Sequence, residues 1–320
     1  MARVVVAGGA GFIGSFVCER LLERGDEVVA IDNLVTGRRA NVAALDPHPA
    51  FDLVEHDICQ PVLIDGPVDL VMDLASPASP DDFVRMPIEI LAVGSAGTGN
   101  LLALARAKEA RFLLASSSEV YGDPAVHPQV ESYWGNVDPI GPRSCYDEAK
   151  RFSEALVAAH ARVHGLDVRV ARIFNTYGPR MRHDDGRVVT SFLSQALQGR
   201  PLTLFGGGSQ TRSFCYVEDE VSGLLALADH DAALPGPVNL GNPHEVTMRE
   251  LAEEVITVTG SSSTMVEVPL PDGRHGDPIR RKPDITRARS LLGWEPKVPL
   301  RQGLEWTART LRDELGARSR

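Results

Sequence analysis

At 320 residues, 43% of them hydrophobic and 24% charged, the chain is long enough to bury a sizeable core as one large domain or two modest ones. A formal net charge of -10 argues against nucleic acid or an anionic membrane as partner, because counterion-driven phosphate binding needs a cationic face. The four cysteines, Cys18, Cys59, Cys145 and Cys215, form no C-x-x-C pair, which speaks against a disulfide framework or a structural zinc and fits a reducing compartment.

Met1-Ala2-Arg3 leads straight into an apolar strand, and no run is expected to reach the roughly 18 apolar residues of a membrane helix, so a cytoplasmic protein is expected. Arg3 to Ala7 reads as a buried strand, Phe12 to Glu23 as a helix and Glu27 to Ile31 as a second strand. Further strands are expected at Phe51 to Val54, Leu70 to Asp73, Arg111 to Ala115 and Val168 to Arg172, with helices at Ile88 to Ala107 and Ser144 to His164. This alternation predicts an α/β fold, a Rossmann-type doubly wound parallel sheet over residues 1–175. After Asn175 the punctuation changes to Gly178-Pro179, Gly206-Gly207-Gly208 and a Pro/Gly-rich stretch from Pro269 to Pro283, predicting a smaller C-terminal α/β substrate domain over 176–320, with some segments returning to the first. Its helices are expected at Val188 to Gln198, Glu218 to Ala228, Met248 to Val258 and Gly303 to Leu315.

Gly8-Gly9-Ala10-Gly11-Phe12-Ile13-Gly14 lies between the first strand and the first helix, where glycines allow a tight turn and the helix N-terminus can face a pyrophosphate. Asp32, followed by Asn33 at the end of the next strand, can bind the adenosine ribose hydroxyls and would repel a 2′-phosphate, favouring NAD over NADP despite Arg38 and Arg39 nearby. Asp57, with Ile58, and Leu74-Ala75-Ser76 follow later strands at the same sheet edge; Asp57 reads as a cofactor contact or a loop carboxylate.

Ser116-Ser117-Ser118-Glu119 emerges from the Arg111 strand at the mouth of the same cleft. Tyr146 and Lys150 stand four apart on one helix face, and a cation beside a phenol that titrates near ~10 favours the phenolate, so the pair can serve as a base. His160 and His164 have metal-ligand spacing but no supporting carboxylate or cysteine pattern, and no metal is expected.

A cofactor loop, a serine after a strand and Tyr-x-x-x-Lys together resemble the extended short-chain dehydrogenases/reductases. Within them GGAGFIGS, LASPASP, LLASSSEVYGDP, YWGNVDPIGPRSCYDEAKR, VRVARIFNTYGPRM, ALQGRPLTLFGGGSQTRSF and RRKPDI resemble the UDP-glucuronic acid decarboxylases over nearly the whole chain. The resemblance implies that Tyr146 takes the proton of the sugar 4-hydroxyl, that Lys150 holds the nicotinamide ribose and lowers the Tyr146 pKa, and that Ser117, where the family usually has threonine, bonds the same oxygen. It also implies that Glu119 and Arg281 handle the carboxylate and the protonation of C5. The C4 ketone produced by oxidation sits beside the carbon that bears the carboxylate, so CO₂ leaves readily, and the resemblance implies that hydride then returns to C4 to give UDP-xylose, with release of the UDP-4-keto-pentose as the alternative outcome. Ser118, where the related 4,6-dehydratases carry an acid, disfavours dehydration and is counted among the substrate contacts.

For the nucleotide end, the resemblance places Asn175, Arg180, Arg187 and Arg212 around the diphosphate of a UDP- or dTDP-linked uronic acid, with Leu202 and Leu204 near the base. Tyr216 reads as a sugar contact or a packing residue. The family's Lys-Thr-Asn-Thr is Ala92-Val93-Gly94-Ser95 here, and Arg85 is the candidate to replace the missing lysine's charge. A homodimer through Ile88 to Ala107 and Ser144 to His164 is implied by analogy; Ala155, Ala158, Ala159 and Ala161 suit that contact and internal packing alike. A 4-epimerase acting on the same substrate and a non-catalytic NAD-binding regulatory module are the competing functions.

Overall fold

Val4, Val5, Val6 and Ala7 have no exposed surface in strand β1 (Arg3–Ala7), as an apolar run covered on both faces of a parallel sheet requires. A computed structural model of the chain describes residues 1–184, 186–269 and 278–318. From β1 the chain passes through helix α1 (Phe12–Glu23) to β2 (Glu27–Asp32) and β3 (Phe51–Glu55), then returns to the other side of β1 as β4 (Leu70–Asp73). Helices α2 (Pro80–Arg85) and α3 (Pro87–Ala92), a wide π-type turn at Val93–Gly97 and α4 (Thr98–Lys108) lead to β5 (Arg111–Ser117). Helix α5 (Ser144–His164) then leads to β6 (Val168–Ile173).

Beyond β6 come β7 (Thr176–Tyr177), α6 (Val188–Leu197), β8 (Leu202–Phe205), β9 (Thr211–Ser213), β10 (Cys215–Tyr216) and α7 (Val217–Asp229). Strand β11 (Val238–Leu240) joins the main sheet beside β6. The chain continues as β12 (Glu245–Thr247), α8 (Met248–Thr259), β13 (Met265–Val268), β14 (Arg280–Arg281), α9 (Thr286–Leu292) and α10 (Leu300–Arg318). The main sheet has seven strands in the order β11-β6-β5-β4-β1-β2-β3, all neighbours parallel. This is the expected Rossmann-type α/β architecture. The order reverses between β1 and β4, and a crevice opens there at the carboxyl ends of the strands.

The expected helix Ile88 to Ala107 is interrupted at Val93–Gly97, because Gly94 comes so close to α5 that an added Cβ would stand 2.7 Å from the Ala149 Cβ. The stretch Pro87–Lys108 does reach the length and hydropathy of a membrane span, contrary to the expectation that no run would; it packs against α5 and the sheet. Strand β11 was not foreseen, being three residues inside a loop-rich segment. Of the stretch Pro269 to Pro283, residues 270–277 lie outside the described residues.

Candidate active site

The turn from β1 into α1 is built from glycines in contact. A Cβ on Gly14 would lie 2.0 Å from the Gly8 carbonyl oxygen, and one on Gly8, at φ +78°, would meet the Leu74 and Ala75 backbone at 2.9 Å. Gly11 caps α1 with no side-chain hydrogen bond, so the first-turn N–H groups are open to an anionic ligand. They border a cavity of about 370 Å³ lined by Gly8, Gly11, Phe12, Ile13, Gly14, Asp32, Asn33, Asp57, Ile58, Leu74, Ala75 and Ser76. All twelve are positions assigned to the cofactor from sequence. Asp32 is anchored by the N–H groups of Ala10 (3.0 Å) and Leu34 (2.8 Å). Arg38 and Arg39 are engaged elsewhere: Arg38 donates to the Arg180 carbonyl at 2.9 Å, and Arg39 pairs with Glu55 at 3.3 Å.

A second cavity, of about 460 Å³, shares Ile13, Leu74, Ser76, Ala78 and Arg187 with the first. Strand β5 delivers Ser117, with Ser118 and Glu119 just beyond it, and α5 delivers Tyr146 and Lys150; all five line this second cavity. The Ser117 hydroxyl stands near the Tyr146 phenol, Phe83 stacks on its ring at 5.0 Å, and the Lys150 ammonium stands 5.7 Å from the ring centroid while donating to the Ala115 carbonyl at 2.9 Å.

The electrostatics differ from the sequence expectation at two groups. Burial pushes the Tyr146 phenol up to about 12, with Ser117 and Arg187 opposing. Lys150, itself buried, gives its hydrogen bond to a carbonyl rather than to the phenol. Glu119 is the other group. Burial raises its carboxyl, but Arg143 (2.8 Å) and Arg281, which grips both oxygens, hold it well below the usual range. Held between two arginines, Glu119 accepts hydrogen bonds from both. Arg143, not singled out from sequence, closes this clamp and packs over Phe83 at 5.4 Å; its only signal was its place just before the catalytic helix.

The nucleotide end needs three corrections. Leu202 and Leu204 are fully buried on the core face of β8, whereas Thr203 and Phe205 line the cavity, because side chains alternate along a strand and the core takes the two leucines. Arg180 borders the cofactor cavity only, stacked on Phe16 at 4.2 Å and paired with Glu19 at 2.8 Å on α1. Tyr216, 3% exposed, packs against Tyr177 and Trp306 and reaches neither cavity. Asn175, Arg187 and Arg212 do line the sugar-side cavity, and the Asn175 amide nitrogen has no partner among the described residues. Gln195, Gln210, Phe192 and Met248, also there, were missed because contacts between α6, β8, α8 and the turn before β9 bring them together. Arg85 is exposed and borders neither cavity, so it does not replace the missing lysine; Ala92, at that lysine's position, borders the cofactor cavity.

Residues 4–241 match the model of the NAD dependent epimerase/dehydratase family. The chain belongs to this family. Its cofactor is NAD, and the glycine cradle, the open helix N-terminus and the anchored Asp32 fit that group. Among curated members, UDP-glucuronic acid decarboxylase 1 of Arabidopsis thaliana is 52% identical over 302 residues, covering 94% of this chain and 68% of the relative. UDP-glucuronic acid decarboxylase 1 of Xenopus tropicalis is 50% identical over 313 residues, covering 98% and 73%. Among solved members of the family, the UDP-glucuronic acid 4-epimerase of Bacillus cereus, in complex with UDP-glucuronic acid and NAD, superposes with a TM-score of 0.85 at 26% identity, covering 98% of this chain and 99% of that one. The UDP-glucose 4-epimerase of Thermotoga maritima, with UDP-glucose, gives 0.87 at 30% identity and the same coverage.

Proposed function

We propose that this chain decarboxylates UDP-glucuronic acid to UDP-xylose by oxidation at C4, loss of CO₂ and reduction at C4. The observation that carries the reading is the Arg143–Glu119–Arg281 clamp beside Ser117 and Tyr146 in one cavity, in a chain about half identical to curated UDP-glucuronic acid decarboxylases. NAD, when bound, takes the hydrogen of C4 with its electron pair and later returns it. Tyr146, assisted by Ser117, takes the proton of the 4-hydroxyl. The C5–carboxylate bond then breaks with its electrons held as an enolate, CO₂ departs, and a proton from solvent takes its place at C5; on reduction at C4, Tyr146 gives the proton it took back to the 4-oxygen. Arg281 and Arg143, oriented by Glu119, hold the carboxylate in line for that break. Asn175, Arg187 and Arg212 serve the diphosphate, and Thr203 and Phe205 serve the base.

Residues 1–175 are read as the NAD portion and 176–320 as the sugar-nucleotide portion. Four free cysteines support a reducing, cytoplasmic setting. A homodimer is supported by the exposed apolar side chains Ile88 (71%), Leu91 (40%), Phe152 (51%) and Val163 (73%) on α3 and α5, which pack against each other.

The deciding experiment incubates the protein with UDP-glucuronic acid and NAD⁺ and follows CO₂ release and product mass. Release of CO₂ with a UDP-pentose product is expected. Retention of the carboxylate in every product would sink the reading in favour of a 4-epimerase, and no turnover at all would favour a non-catalytic NAD module.

A further inference from the structure

Lys150 is the one buried lysine among the four that this chain contains. Its ammonium commits one donor to the Ala115 carbonyl and makes no direct ion pair among the described residues. A charge so placed loses its proton unless something compensates for the lost water. The charged and titratable groups around it are Tyr146 and Glu154 on its own helix and Asp73 at the end of β4, while β5 offers the Ala115 carbonyl and the Ser117 hydroxyl. Glu154 is already spent on Arg172 (2.7 and 2.8 Å) and on the Ser116 hydroxyl (2.6 Å).

Asp73 is 1% exposed, and the sheet register sets it beside Leu114, one residue before the carbonyl that Lys150 holds. Thr98, at the start of α4, donates to its Oδ2 at 2.8 Å, and Oδ1 has no hydrogen bond of ordinary geometry among the described residues. Ser153 on α5 stands 3.3 Å from Thr98 and donates to the Gly94 (2.7 Å) and Ala149 (2.9 Å) carbonyls, tying the wide turn to the catalytic helix.

We propose that Asp73, held in place by Thr98, is a positioning residue that keeps Lys150 in its ammonium form. The inference rests on reading Lys150 as part of the active site. Burial drives Lys150 down from the ordinary lysine value, and Asp73 is the foremost group opposing that; burial likewise raises Asp73, and Lys150 opposes it. Each therefore holds the other ionised.

The test is the ¹⁵N resonance of the lysine side-chain nitrogens in the labelled, cofactor-free protein, followed through a pH titration. Lys150 should read as ammonium at neutral pH. In Asp73→Asn its midpoint should fall by about one unit or more, a tenfold loss of proton affinity, and in Thr98→Val it should fall less. The alkaline limb of kcat should move the same way, whereas a structural defect alone would scale the profile without moving it. A neutral Lys150 at neutral pH in the wild-type protein would overturn the proposal, as would an unchanged midpoint in folded Asp73→Asn. Should Asp73→Asn not fold, the wild-type titration and Thr98→Val decide. Failure to turn over UDP-glucuronic acid counts against the proposed function and leaves the lysine measurement standing.

Discussion

Tyr146 sits where its own ionisation is disfavoured: burial moves the phenol up to about 12. A positively charged nicotinamide bound beside it would favour the phenolate. Ultraviolet difference titration of wild type against Tyr146→Phe should show no phenolate from Tyr146 near neutral pH in the cofactor-free protein, and a lower midpoint once NAD⁺ is added; an identical midpoint in both states would refute this. Tyr146→Phe should also lower the rate of C4 oxidation by about 10²-fold or more, the ordinary weight of a positioned acid–base group. Residue identities at this site were legible because glycines, Tyr-x-x-x-Lys and the serine after a strand occur in a fixed order. Their ionisation states were not, since these depend on burial and on neighbours from α5, β5 and β14 that meet only in the fold.

Strand β8 shows what an element adds. The family resemblance put Leu202 and Leu204 near the base, yet alternation gives them to the core and turns Thr203 and Phe205 to the cavity. Leu204→Ala should cost about 2–5 kcal/mol of stability in denaturant unfolding, while Phe205→Ala should leave stability nearly intact and raise KM for the sugar nucleotide about tenfold, in line with the ~1–3 kcal/mol of base stacking. The reverse pattern would return the leucines to the pocket. In the first turn of α7, Glu220 has no exposed surface and burial raises its carboxyl to about 8, although the helix N-terminus favours negative charge there. Between its ordinary value near 4.5 and about 8, the folded chain keeps a proton that the unfolded chain releases, so stability falls as pH rises through that window. Glu220→Gln should flatten this dependence and raise Tm at about pH 8.5 more than at about pH 5; equal shifts at both would show that Glu220 is not the group responsible. The element boundaries from Arg3 to Glu23 and from Ser144 to His164 were readable because apolar periodicity and glycine punctuation agree there. The wide turn at Val93–Gly97 was not, because its cause lies across the layer, at Ala149.

For the molecule as a whole, the exposed apolar side chains of α3 and α5 carry the dimer expectation. Leu91→Glu combined with Phe152→Glu should halve the mass measured by light scattering and leave the circular dichroism unchanged; a wild-type monomer would dispose of the idea. Arg180 illustrates long-range placement that sequence cannot supply, since its partners Phe16 and Glu19 lie more than 150 residues away in the chain. The wide turn has one consequence for chain length. An α-helix advances about 100° per residue, so deleting a single residue between Val93 and Gly97 would rephase everything before it against everything after it. Either Ile90 would swing out of the interior and Leu91 off the outer face, or Thr98 would swing away from Asp73. Here the tally of residues matters as much as their kind: an insertion or deletion that a surface loop would absorb would unlock the outer face from the catalytic layer.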